Sequence, residues 1–145
     1  MKNFKALLTI ILLSFASTVN AQSLDSKGFT IQSYLGMYMD GEELMSYDAN
    51  EIYNVSLQDG YMVHNILSDN VVTDSQMYKI SNLVKSEKEG ETTFAFDATS
   101  GISGKVYSYS ISFGKDASVT LTLIQPDGGV TVFMATSAIF KTFKQ

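Results

Sequence analysis

From residue 29 onward, apolar and polar side chains alternate with period two in runs rich in Tyr, Phe, Val and Thr. Turn-forming residues interrupt the runs. The pattern predicts eight strands, at about 29–39, 51–57, 61–67, 76–85, 91–98, 105–113, 117–124 and 130–141. Only the stretch from Glu42 to Asn50, which opens Glu42-Glu43-Leu44-Met45, reads as a short helix, near 42–49.

The turns carry registers with them. Asp59-Gly60 is a two-residue hairpin signal, because a type I′ turn needs positive φ at both central positions. It pairs Leu57 with Met62, Val55 with His64 and Tyr53 with Ile66, all on one apolar face. A loop over Ser86–Gly90 pairs Lys85 with Glu91, Ile80 with Phe96 and Val84 with Thr92. A loop at Gly114-Lys115-Asp116 pairs Ile111 with Val119, Tyr109 with Leu121 and Tyr107 with Leu123. The opposite face of that hairpin is all hydroxyl: Ser108, Ser110 and Ser112 against Thr122, Thr120 and Ser118. Gln125-Pro126-Asp127-Gly128-Gly129 is a further turn, with Pro presetting φ and Gly taking the left-handed position.

Successive hairpins make an antiparallel up-and-down meander, and a meander of about eight strands with one apolar face closes into a small barrel. The alternative is a β-sandwich, which needs long crossing connections. The last strand is apolar on both faces, with Phe133, Ala135 and Ile139 against Val132, Met134 and Phe140. Something is expected to cover its outer side: the short helix, the N-terminal segment or a second copy of the chain.

The first residues do not fit the strand pattern. Met1-Lys2-Asn3-Phe4-Lys5, the apolar run Ala6–Ala16, and small residues at Val19 and Ala21 have the form of a secretory signal peptide of bacterial type. Cleavage is expected after Ala21, which divides the chain into a leader, 1–21, and one domain, 22–145. The product is expected to be secreted or periplasmic. The apolar run is too short to span a bilayer as a helix and no second one follows, so no membrane span is expected in the mature chain.

Composition narrows the functions. There is no cysteine, so core packing and not disulfides must hold the domain together. The net charge is −5 and there is no arginine, which argues against a nucleic-acid partner. Eight Tyr and nine Phe supply a large aromatic core.

Tyr34-Leu35-Gly36-Met37-Tyr38-Met39 in the first strand, followed by a short helix and a meander, resembles the lipocalin and fatty-acid-binding (calycin) superfamily of small barrels. That family carries Gly-x-Trp near this point, with an Arg packed across the Trp. Here Gly36-Met37-Tyr38 has Tyr in place of Trp, and no Arg exists. The resemblance implies a ligand-binding barrel.

An eight-stranded barrel is either filled by side chains or holds one small ligand. The candidate ligand-binding residues are His64, Tyr53, Tyr107, Tyr109, Phe94 and Phe96, with Phe113 beside them. Tyr offers an apolar wall and a hydroxyl for orientation, and His64, the only histidine, offers a polar anchor. The alternative for His64 is a half-buried histidine bonded to backbone or water. No catalytic residues are assigned, because one His without a nucleophile motif makes no triad. Asp97 could serve as an acid or base only with a second carboxylate across a cleft, which the sequence does not supply.

No metal and no cofactor is expected. Asp40-Gly41-Glu42-Glu43 fits a capped turn better than a calcium loop. Met37, Met39 and Met62 with His64 fit core filling better than a copper site. Asn54-Val55-Ser56 matches the glycosylation pattern but falls in mid-strand. The leading reading is an exported, non-enzymatic module that takes a small, largely apolar ligand into a barrel. The alternatives are a structural or protein-interaction domain with a solid core, which could form a homo-oligomer through its last strand, and a small outer-membrane barrel.

Overall fold

The computed structural model describes residues 28–138. The expected leader and its cleavage site, and Ile139 and Phe140 of the last strand, lie outside the described residues. Eight antiparallel strands follow one another: β1 (Gly28–Asp40), β2 (Glu43–Ser56), β3 (Tyr61–Ser68), β4 (Val71–Lys88), β5 (Glu91–Ser100), β6 (Val106–Phe113), β7 (Ser118–Ile124) and β8 (Val130–Ala138). Each pairs with its neighbour in sequence, and β8 pairs back onto β1, so the sheet is a closed barrel. Closure leaves no unpaired strand edge.

The alternation decides which side faces inward. Tyr109, Ile111 and Phe113 on β6 meet Leu121 and Val119 on β7 within the core, all 6 % exposed or less. Ser108, Ser110 and Ser112 pair with Ile124, Thr122 and Thr120 on the outer face. An outer-membrane barrel needs apolar residues outward and polar ones toward the lumen. β6 and β7 carry the reverse.

No helix forms among the described residues, and the expected helix near 42–49 is instead the first half of β2. Gly41, at φ 62, makes a tight turn that pairs Asp40 with Glu43. Every residue from Glu43 to Asp48 then joins the β1 ladder. A helix of this length would have to meet a nucleation cost with little packing in return. The ladder satisfies the same backbone groups without that cost.

Three hairpin registers also differ from expectation. The Asp59-Gly60 connection takes four residues, 57–60, and only Gly60 has positive φ. Its amide donates to the Ser56 carbonyl at 3.0 Å, and the Ser56 hydroxyl donates to the Asp59 carboxylate at 2.7 Å. This clip widens the turn, so Val55 faces Met62 and Tyr53 faces His64. At the β6–β7 turn Ala117 takes φ 64, Phe113 faces Val119 and Tyr109 faces Leu123. Both shifts are by two residues, and a shift of two keeps every side chain on its face.

The true type I′ pattern occurs at Asp69-Asn70 and Glu89-Gly90, where both residues of each pair have positive φ. The second closes β4 onto β5 with Lys88 opposite Glu91. Lys85 is therefore opposite Phe94 in the ladder and not Glu91, and its ammonium lies 2.9 Å from Glu87. A bulge at Asn82 and Leu83 sets Ile80 opposite Ala98 and Val84 opposite Ala95, not opposite Phe96 and Thr92.

The two ends of the barrel differ. At the end of the 57–60, 89–90 and 114–117 turns, Phe29, Phe94 and Phe113 pack ring against ring, with centroids 5.0–6.1 Å apart. At the other end, inward-facing Tyr38, Met45, Tyr47 and Ile66 are each more than a third exposed. That end, bounded by the turns at 41–42, 69–70, 101–105 and 125–129, is the accessible one. Val132 points outward from β8 and is 3 % exposed, while Thr136 on the same outer side is exposed.

Candidate functional site

Below the accessible end, inward positions of neighbouring strands form a polar layer. Glu51 and Tyr53 are alternate residues of β2, so both point inward, and His64 faces Tyr53 from β3. The Tyr53 hydroxyl donates to Glu51 Oε2 at 2.5 Å, and His64 Nε2 lies 2.7 Å from the same oxygen. A carboxylate only accepts, so Nε2 carries the proton. The Tyr53 and His64 rings stack at 4.3 Å and 7°. Buried Ser33 of β1 donates to the Glu51 carbonyl at 3.4 Å, and on β4 the Tyr78 hydroxyl donates to Gln76 Oε1 at 2.7 Å.

The electrostatics follow from burial. Burial pushes the Glu51 carboxyl up, but the hydrogen bonds from His64 and Tyr53 and the charge of His64 outweigh it and hold Glu51 below its usual range. The phenols move the other way. Burial first, then the charge of Glu51, pushes Tyr47 to about 12 and raises Tyr53 well beyond the ordinary phenol range. Tyr109 is raised by burial, then by Tyr78 and Glu51, and Tyr78 by burial, then by Tyr107, Asp74 and Glu51.

These shifts make a prediction. A phenol raised in the folded state stays neutral while its unfolded counterpart ionises. The stabilisation is present below pH 10 and is lost as pH rises above it. An absorbance titration of phenolate will show a late component, and Tyr109→Phe will shrink it. A titration in which every tyrosine ionised together in the folded protein would contradict the burial described.

Five of the residues expected to bind ligand fall into one connected set. Tyr53 stacks on His64 and lies 6.3 Å from Tyr109. Phe96 stacks on Tyr109 at 5.7 Å, and Tyr78 joins Tyr109 to Tyr107 at 6.4 and 5.8 Å. Phe94 stands apart, in the phenylalanine cluster at the opposite end. His64 bonds a carboxylate, a partner not anticipated for it. Glu51, Gln76, Tyr47 and Tyr78 were not anticipated, although the parity of Glu51 with Tyr53 and Val55 was readable in the sequence. Gly36 contributes by lacking a side chain, since a Cβ there would run into the Tyr47 ring laid across it.

Elsewhere the chemistry is thinner. Asp97 lies on the outer face of β5, held by Asn82 at 2.7 Å and Ser108 at 2.8 Å, which lower its carboxyl. It borders a groove of about 270 Å³ shared with Ser110, Thr122 and Ile124. Met37 points outward beside Val132, while Met62 and His64 point inward, so these residues do not converge. Among the described residues no group of three or more His, Cys, Asp or Glu is placed to hold a metal.

Comparison with protein families and with curated proteins finds no match for this chain. The closed eight-stranded antiparallel barrel is compatible with a calycin-like fold.

Proposed function

We propose that this chain is an exported, non-enzymatic binding module of calycin type. It takes a small, largely apolar ligand at the accessible end of the barrel, above the Glu51–Tyr53–His64 layer. The observation that carries the reading is this layer itself: a carboxylate and an imidazole 2.7 Å apart inside a largely apolar, aromatic-rich barrel. Such a pair is weak support for stability, because apolar residues of similar volume often serve as well or better. It faces inward-pointing Tyr38 and Tyr47, which remain accessible. Aromatic walls with a few convergent polar groups are the usual makeup of a small-molecule site. The leader-like residues 1–21 support export.

Titration with a fluorescent apolar probe tests the reading. Saturable uptake at one site, weakened by Tyr47→Ala, is the expected result; no saturable uptake rejects it. A second reading, a protein-interaction module, is favoured by Leu44, Val71, Val72 and Ile102, which are 47–78 % exposed around the same end. Sedimentation distinguishes it, since self-association would shrink when Val71 and Val72 are changed to Ser.

A further inference from the structure

We infer that the ligand taken at the accessible end is an organic cation, a protonated or quaternary amine on an apolar body. This rests on the binding reading above and assigns its chemical class.

The first observation is an oxygen without a partner. Both donors to Glu51, the Tyr53 hydroxyl and His64 Nε2–H, go to Oε2. Oε1 accepts no hydrogen bond from the described residues, and the side chain is only 11 % exposed. A largely buried carboxylate oxygen calls for a donor, and a cationic one suits it best. Glu51 is thus a largely buried carboxylate with one oxygen to spare. The chain has no arginine to balance it.

The second observation is the set of rings around that charge. Tyr38, Tyr47, Phe133, Tyr53, Tyr109, Tyr78 and Tyr107 form an unbroken series, each centroid 5.8–6.4 Å from the next, leading from the accessible end to the polar layer. The negative field of Glu51 reaches the hydroxyls of Tyr47, Tyr53, Tyr78 and Tyr109. Aromatic faces attract cations through their quadrupoles, and a carboxylate among them adds a full opposite charge. Phenols also hydrogen-bond neutral ligands, but the unpartnered carboxylate oxygen favours a cation over them.

The third observation is the surrounding charge. Asp40, Glu42, Glu43, Asp69 and Asp127 lie in or next to the turns at this end, against Lys105. A negative rim raises the local concentration of cations and repels anions. A fatty-acid carboxylate entering here would meet the rim and then Glu51.

The test uses the full chain and three fluorescent probes of similar apolar body: a naphthylalkylamine, neutral phenylnaphthylamine and anionic anilinonaphthalene sulfonate. The cationic probe is expected to bind about tenfold tighter than the neutral one, and the anionic probe weakest. Glu51→Gln, with folding checked by circular dichroism, is expected to remove that preference while the neutral probe still binds. On unaltered protein, a tetraalkylammonium should displace the neutral probe and an alkylcarboxylate should not. Equal binding of cationic and neutral probes, or displacement by the carboxylate, overturns the cation assignment and leaves the binding reading standing. No saturable binding of any probe overturns both.

Discussion

His64→Leu will destabilise the barrel by about 3 kcal/mol in denaturant unfolding, whereas Glu51→Met combined with His64→Leu will cost less, about 1–2 kcal/mol, chiefly because the buried Tyr53 hydroxyl loses its acceptor. The single change removes the donor 2.7 Å from Glu51 Oε2 and puts an isobutyl group in its place. The carboxylate then keeps only the Tyr53 hydroxyl. Breaking a buried pair costs about 3–5 kcal/mol, because a charge is left uncompensated, and residual access to water places this case at the lower end. The double change removes charge and partner together. If the single variant unfolded at the same denaturant concentration as the unaltered protein, the pair would not be buried as described.

The same pair sets the acid limit. Glu51 is held below its usual value of 4.5 in the folded protein. The unfolded chain therefore takes up its proton first as pH falls. The stabilisation is present above about pH 4.5 and is lost as pH falls through the lower folded value. The double variant, which lacks the group, will lose less stability in acid, and a pH series of thermal midpoints checks the difference.

Phe94→Ala will cost about 3–5 kcal/mol, while Ser110→Ala, on the neighbouring strand, will stay within about 0.5 kcal/mol. Phe94 is 2 % exposed and its ring lies 5.4 Å from Phe29 and 6.1 Å from Phe113. Truncation removes apolar contact, opens a cavity in the closed end and breaks both ring pairs. Ser110 points outward, opposite Ala95 and Thr122, and its hydroxyl makes no hydrogen bond among the described residues. Reversed sensitivities would mean that β5 and β6 face the other way.

Much of this architecture could be read from alternation alone. Period two along Tyr107–Phe113 and Ala117–Ile124 separates an oily side from a hydroxyl side, and no later contact is needed to decide which is buried. Registers were less legible. Asp59-Gly60 resembles a type I′ turn, but the Ser56–Asp59 hydrogen bond selects a wider one. Glu89-Gly90 carries the tight turn inside a stretch that reads as a longer loop. The Asp59-Gly60 hairpin kept its faces because it moved by two residues, whereas the bulge at Asn82 and Leu83 turned Val84 outward, opposite Ala95.

The segment at 42–49 shows where local preference misleads. Glu42-Glu43-Leu44-Met45 is good helix-forming material, yet β1 lies alongside and offers a ladder. Tertiary pairing outweighs propensity differences of a few tenths of a kcal/mol per residue.

By itself the sequence determined an all-β meander, its inward face and the aromatic stock of its interior, because these depend on side-chain alternation and turn residues a few positions apart. Only the tertiary structure decided that β8 closes onto β1, that one end is packed with phenylalanine while the other stays accessible, and that Glu51 meets His64 and Tyr53 on a single oxygen. Those outcomes depend on strand register and bulges. A hydrogen bond over 2.7 Å between residues thirteen apart in sequence is set by both at once.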